Sequence, residues 1–220
     1  MALESTEHPG AAIVIDVIRA FTTAAAAFDA GAAEIRCVES LDAARALRDA
    51  TSGSLLMGEE RGQRPEGFDF GNSPLQFDGS DLDGRVLIQR TTNGTRGLVW
   101  TTAPLVLAAA AVNASATAAL AAERPPVALV CTGRSTSEDR TCAEHIQRLL
   151  AGESMSANVT RRRILAAADE HRAYWTRRRM PLDEAAHDAD VAACAQVDRY
   201  PFAMVGEREP GFIRLTRVDP

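Results

Sequence analysis

Ala11-Ala-Ile-Val-Ile-Asp-Val17, followed by the alanine-rich Thr22 to Ala30 and then Gly31, decides the fold class of this chain. The first run is short, apolar and rich in β-branched residues, as a strand buried on both faces must be. The second is a helix former, and Gly31 supplies a left-handed cap. The succession returns at once: Glu34 to Val38 predicts a strand, Ser40 a cap for a helix over Leu41 to Ala50, and Ser54 to Met57 another short strand. Gly58 to Asp83, broken by glycines and by Pro65 and Pro74, reads as one long irregular segment. Alternation then resumes with a strand at Arg85 to Gln89, a helix at Asn93 to Trp100 and a strand at Leu105 to Ala109. Asn113 is expected to cap a helix over Ala114 to Ala122, ahead of a strand at Val127 to Cys131 and an amphipathic helix at Glu138 to Leu150. Asn158 to Arg179 predicts one or two helices stopped by Pro181, Ala189 to Val197 another, and Phe202 to Val205 and Phe212 to Val218 closing strands. This is the pattern of an α/β fold, a layered α/β/α arrangement around a parallel or mixed sheet. Residues 1–220 read as one domain, and a division into two fused subdomains stays open.

The 220 residues include 24 basic and 30 acidic ones, a formal net charge of −6. Without a basic tail or stripe, neither nucleic acid nor an anionic membrane is an expected partner. Every basic residue is arginine, which excludes Schiff-base lysines, pyridoxal-phosphate enzymes and the lysines of Walker loops and kinases. The acidic start lacks a leader pattern, and the weakly polar run Ala103 to Ala122 is interrupted by Pro104, Asn113, Ser115 and Thr117, so a cytoplasmic protein is expected. Cys37, Cys131, Cys142 and Cys194 form no Cys-x-x-Cys pair and read as buried free thiols. His8, His145, His171 and His187 lack metal-ligand spacing and read as surface or structural residues. An α/β enzyme of this size is commonly a homo-oligomer.

Ligands of such sheets collect at the carboxyl ends of strands. Four polar groups fall there: Asp16; Glu59, Glu60 and Arg61; Thr91-Thr-Asn-Gly-Thr-Arg96; and Ser135, Glu138 and Asp139. Carboxylates of this kind, completed by waters and a phosphate, suit Mg²⁺. The threonine-glycine segment has the composition of an anion cradle, and Arg19, Arg61 and Arg96 offer planar forks for phosphate, carboxylate or sulfonate. Each group also has a structural reading. Asp16 suits a cap, Glu59 and Glu60 suit solvated loop charges, Glu138 and Asp139 complement a helix dipole, and the threonine segment suits an ordinary turn. Several phosphatase chemistries are excluded: six residues after Cys131 stands Ser137 rather than arginine, Asp16 opens no Asp-x-Asp, and no Gly-x-Ser-x-Gly occurs.

Six groups of residues follow one another along the chain: Asp16-Val-Ile-Arg-Ala with Thr22-Thr; Gly58-Glu-Glu-Arg-Gly62; Gly67-Phe-Asp-Phe-Gly-Asn-Ser-Pro74; Thr91-Thr-Asn-Gly-Thr-Arg96; Asn113-Ala-Ser-Ala116; and Ser137-Glu-Asp139 with Cys142-Ala143. In their order and spacing the chain resembles the magnesium-dependent 2-phosphosulfolactate phosphatases. Agreement weakens from Asp190-Val-Ala-Ala-Cys194 onward. The resemblance implies hydrolysis of (R)-2-phospho-3-sulfolactate to (R)-3-sulfolactate and phosphate, a step of coenzyme M biosynthesis. A substrate carrying phosphate, sulfonate and carboxylate matches the arginine supply. On that reading Asp16, Glu60 and Asp139 gather Mg²⁺ directly or through water, with Glu138 either supporting the ligands from behind or orienting the attacking water. Thr91, Thr92, Asn93, Gly94 and Thr95 hold the phosphate; Arg19, Arg61 and Arg96 neutralise charge; Asn72 and Ser73 border the site. A covalent aspartyl phosphate on Asp16 is also compatible with the sequence. So are two rivals, a phosphatase or phosphoryl-transfer enzyme for another small phosphorylated acid and an anion-binding protein without catalysis.

Overall fold

The computed structural model describes residues 6–133, 137–153, 155–179 and 181–220. Its strands are β1 (Thr6–Glu7), β2 (Ala11–Ile15), β3 (Glu34–Cys37), β4 (Leu55–Gly58), β5 (Val86–Arg90), β6 (Thr101–Thr102), β7 (Leu105–Ala109), β8 (Val127–Cys131), β9 (Ala203–Glu209) and β10 (Phe212–Val218). Its helices are α1 (Ala20–Asp29), α2 (Leu41–Asp49), α3 (Gly94–Trp100), α4 (Ala114–Ala121), α5 (Ser137–Leu150), α6 (Ala157–Arg177) and α7 (Glu184–Cys194).

Eight strands form a mixed sheet in the order β4-β5-β3-β10-β9-β7-β2-β8, covered by helices on both faces, and β1 pairs with β6 apart from it. Parallel pairing joins β4, β5 and β3 on one side and β7, β2 and β8 on the other. The antiparallel hairpin β9–β10 is inserted between these two halves, so they run in opposite senses. Strand β2 lies between two parallel neighbours with all five residues buried, which is why its sequence is an unbroken apolar run. Helix α1 is buried along its whole length apart from Asp29, and its alanines let it lie close to the sheet. Phe21, Ile13, Ile15, Leu107 and Phe202 are among the largest fully buried side chains of the core.

Most elements fall where the sequence places them, and the departures have local causes. Asn113 stands at the start of α4 but does not cap it; its Oδ1 accepts from the Ala110 N–H at 3.0 Å, tying down the 3₁₀ turn before the helix. Asp183 caps α7 by accepting from the Ala186 N–H at 3.1 Å, so this helix starts five residues before the expected Ala189. Residues 157–177 form one helix. The long segment after β4 contributes Phe68, Phe77 and Leu82 to the buried interior, although its composition reads as too polar for a core element. Among the described residues no helix is long and apolar enough to cross a membrane.

Candidate active site

The carboxyl ends of β2, β4, β5 and β8 meet although the halves of the sheet run in opposite senses. Helix α3 makes the connection: it leaves β5 and packs on β2. Gly94 permits this approach, since a Cβ there would sit 2.6 Å from the Ala20 Cβ and 2.9 Å from Asp16 Oδ2. Asp16, 7% exposed, accepts from the Ala20 N–H at 3.1 Å through Oδ1 and from Thr132 Oγ1 at 3.1 Å through Oδ2. Burial raises its pKa from 3.8 to about 6; the two hydrogen bonds oppose the shift, and the nearby charges of Glu138 and Glu59 add to it.

Glu59 is the member of the acidic doublet turned inward. It is buried and accepts from the Thr92 N–H, from Thr92 Oγ1 at 3.1 Å and from the Gly62 N–H, so it ties the end of β4 to the threonine segment. Glu60 points outward, half-exposed, with Arg90 at 3.6 Å. Asp139 is buried beside Asp16 and accepts from the Val17 N–H at 2.8 Å. Glu138, 1% exposed, meets His171 Nε2 at 2.9 Å through Oε1, while its Oε2 is buried without a hydrogen-bond partner. Asp16, Asp139, Glu138 and Glu59 thus concentrate negative charge in a site poor in water. Among the described residues no three His, Cys, Asp or Glu side chains are arranged to hold one ion. A hard cation that keeps most of its waters needs only one or two carboxylates, and this donor set fits such an ion.

The threonine segment is less open than its composition suggests. Thr91 and Thr95 close on each other: the Thr95 N–H donates to Thr91 Oγ1 at 3.0 Å, and the Thr91 N–H to Thr95 Oγ1 at 2.9 Å. Thr92 is engaged by Glu59, Asn93 is exposed and Gly94 lies against Asp16. The three arginines separate. Arg19 forms an ion pair with Asp190, which also accepts from Ser73 Oγ, and Asn72 next to Ser73 has its Oδ1 buried without a partner. Arg61 is exposed, in left-handed backbone (φ 51°) with its N–H 3.4 Å from Thr92 Oγ1. Arg96 lies over the Trp100 ring at 4.6 Å and lines a different groove of about 550 Å³ with Glu39, Arg90, Arg208 and Phe212. Ser135 lies outside the described residues.

Three residues the sequence reading left out of the site join it. Asp190 and His187 share the buried stripe of α7, and His171 reaches Glu138 from α6 while stacking on His187 at 6.0 Å. Of the two readings given to these histidines, surface or structural, the buried His187 and the partly buried His171 answer to the second. A histidine and an acid three apart on an otherwise apolar helix face are the signal that could have found the first pair. The cysteines are free thiols; Cys131, beside the site, is pushed up to about 11, by burial first and then by Asp139, so it is no ready nucleophile.

Fold and site together define an α/β protein with a buried carboxylate centre where its strands end. The model of the family described as 2-phosphosulpholactate phosphatase matches residues 2–209, and the chain belongs to that family. A protein of Deinococcus radiodurans named as a probable 2-phosphosulfolactate phosphatase is 42% identical over 135 residues, 60% of this chain and 56% of its own length. One of Bacillus subtilis, named alike, is 40% identical over 148 residues, covering 65% of each chain. A Synechococcus relative of the same name is 35% identical over 94% of this chain and 93% of its own. The chain therefore spans little more than half to about two thirds of the first two relatives, 56% and 65%, and nearly all of the third.

Proposed function

We propose that the protein is a Mg²⁺-dependent phosphomonoester hydrolase that converts (R)-2-phospho-3-sulfolactate to (R)-3-sulfolactate and phosphate. The observation that carries this reading is the group of buried carboxylates around Asp16, with a titration near 6 and an unpartnered Glu138 oxygen, beside the Thr91–Thr95 turn. So much buried negative charge calls for a cation, and a cation placed there attracts a phosphate dianion.

Asp16 and Asp139 would hold the ion, with Glu60 entering from the rim only by leaving Arg90. Bound there, Mg²⁺ supplies charge neutralisation at a phosphoryl oxygen and lowers the pKa of a bound water. Glu138 orients the attacking water through Oε2 and takes its proton while the ester P–O bond breaks, and that proton is then available to the departing alkoxide. Arg19, held by Asp190 together with Ser73, neutralises a further anionic group of the substrate. The Thr92 and Gly94 backbone, fixed by Glu59 and by the approach to Asp16, shapes the phosphate end.

The substrate is tested by phosphate release from 2-phosphosulfolactate beside 2-phospholactate, which lacks the sulfonate. Preference for the sulfonated ester is the expected result. Equal Mg²⁺-dependent hydrolysis of both would leave a phosphatase of broader choice and remove the sulfolactate assignment.

A further inference from the structure

We propose that His171 is a positioning residue for Glu138: held by His187, it fixes the carboxylate so that Oε2 alone is presented to the attacking water. The inference rests on the reading of Glu138 as the water-orienting carboxylate.

A buried carboxylate is ordinarily tied down through both oxygens, because an uncompensated charge away from water is expensive. Glu138, 1% exposed, is tied through one: Oε1 meets His171 Nε2 at 2.9 Å and Oε2 has no partner. The imidazole that makes this bond is itself constrained. Its ring stacks on that of His187, centroids 6.0 Å apart and planes 27° from parallel. His187 is 3% exposed, and burial, followed by the nearby His171 and Arg19, lowers its pKa below the ordinary histidine value. One turn further along α7 stands Asp190, the partner of Arg19 and Ser73, so a single helix orders both the histidine stack and the arginine. One turn beyond His171 on α6, Trp175 closes on the loop after β4: a Cβ at Gly62 would come within 1.8 Å of its ring. The α6–α7 pair is thus anchored on both sides of the carboxylate centre, and the line α7, His187, His171, Glu138 ends at one free oxygen. A histidine bonded to a carboxylate that acts on water is the kind of outer support whose loss lowers activity without abolishing the fold.

The geometry makes a test that a merely structural histidine would not pass. Nε2 is the bonding atom, and the amide nitrogen of glutamine, unlike that of asparagine, reaches its place. With full-length protein, Mg²⁺ and whichever ester of a phosphomonoester panel is turned over, His171→Ala should lower kcat by about 10–100-fold with KM nearly unchanged, and His171→Gln should recover most of the loss. His171→Asn should not. In a Glu138→Gln background, His171→Ala should cost nothing further. Unchanged kcat in His171→Ala, equal recovery by asparagine and glutamine, or losses that multiply in the double variant would overturn the proposal. A second readout needs no turnover: long-range ¹H–¹⁵N spectra should show a protected Nε2–H on His171 that disappears in Glu138→Ala. Its absence from the wild-type protein overturns the pair outright. Its presence in a protein that hydrolyses no ester would leave the pair standing and remove the phosphatase reading.

Discussion

At Asp16 two hydrogen bonds work against burial and burial prevails, so that the carboxyl titrates at about 6 instead of 3.8. A group whose folded pKa is raised contributes its stability fully below the unfolded value and loses it as pH rises through the folded one. Here that window runs from about pH 4 to about pH 6, and the loss amounts to roughly 3 kcal/mol in the absence of a bound cation. Asp16→Asn should therefore be more stable than the wild type in chelator at pH 8, by up to about 3 kcal/mol, and nearly equal to it at pH 4. Urea midpoints at the two pH values measure this, and a variant less stable at pH 8 would contradict the burial argument. The arginines give a second comparison. Arg19→Lys loses a planar fork beside the centre and should lower kcat/KM by about 10–100-fold, whereas Arg96→Lys, turned to the other groove, should stay within about twofold. Equal losses in the two variants would return Arg96 to the substrate site.

Helix α3 shows how an element can be chosen against its own propensity. Alanine at Gly94 would favour the helix by up to about 1 kcal/mol, yet its Cβ would meet Ala20 at 2.6 Å and Asp16 at 2.9 Å. Gly94→Ala should lower stability by about 1–3 kcal/mol and reduce turnover; a higher Tm would show that α3 does not need this approach. The elements themselves were largely legible, because periodicity and caps are local. The buried run of β2 announces a two-sided strand, and Ser40 caps α2 by accepting from the Ala43 N–H as its position implies. What was not legible is non-local. Strand patterns in Phe202–Val205 and Phe212–Val218 do not say that the hairpin enters the middle of the sheet. The doublet Glu59-Glu60 does not say which carboxylate turns inward, since neighbours at a strand end point to opposite sides and the register of β4 decides. His171 and His187 lie sixteen residues apart in sequence, and only the packing of α6 on α7 brings their rings together.

In the molecule as a whole, two parallel halves of opposite sense are held by the β9–β10 hairpin, and the carboxylate centre lies where α3 crosses from one half to the other. Phe202, fully buried just before that hairpin between Phe28 and Tyr200, belongs to the packing that joins them. Phe202→Ala should cost about 3–5 kcal/mol in chemical unfolding, and a cost below about 1 kcal/mol would mean that the halves do not depend on this packing. The residues of the site follow β2, β4, β5 and β8 or lie on α3, α5, α6 and α7, so no single segment carries the activity proposed for it. The most direct test is phosphate release from 2-phosphosulfolactate by the wild type and by Asp16→Asn, each with Mg²⁺ and with excess chelator. Release by the wild type with Mg²⁺ and none in the other three conditions is the expected result. Release by Asp16→Asn at the wild-type rate, or undiminished release in chelator, would contradict it.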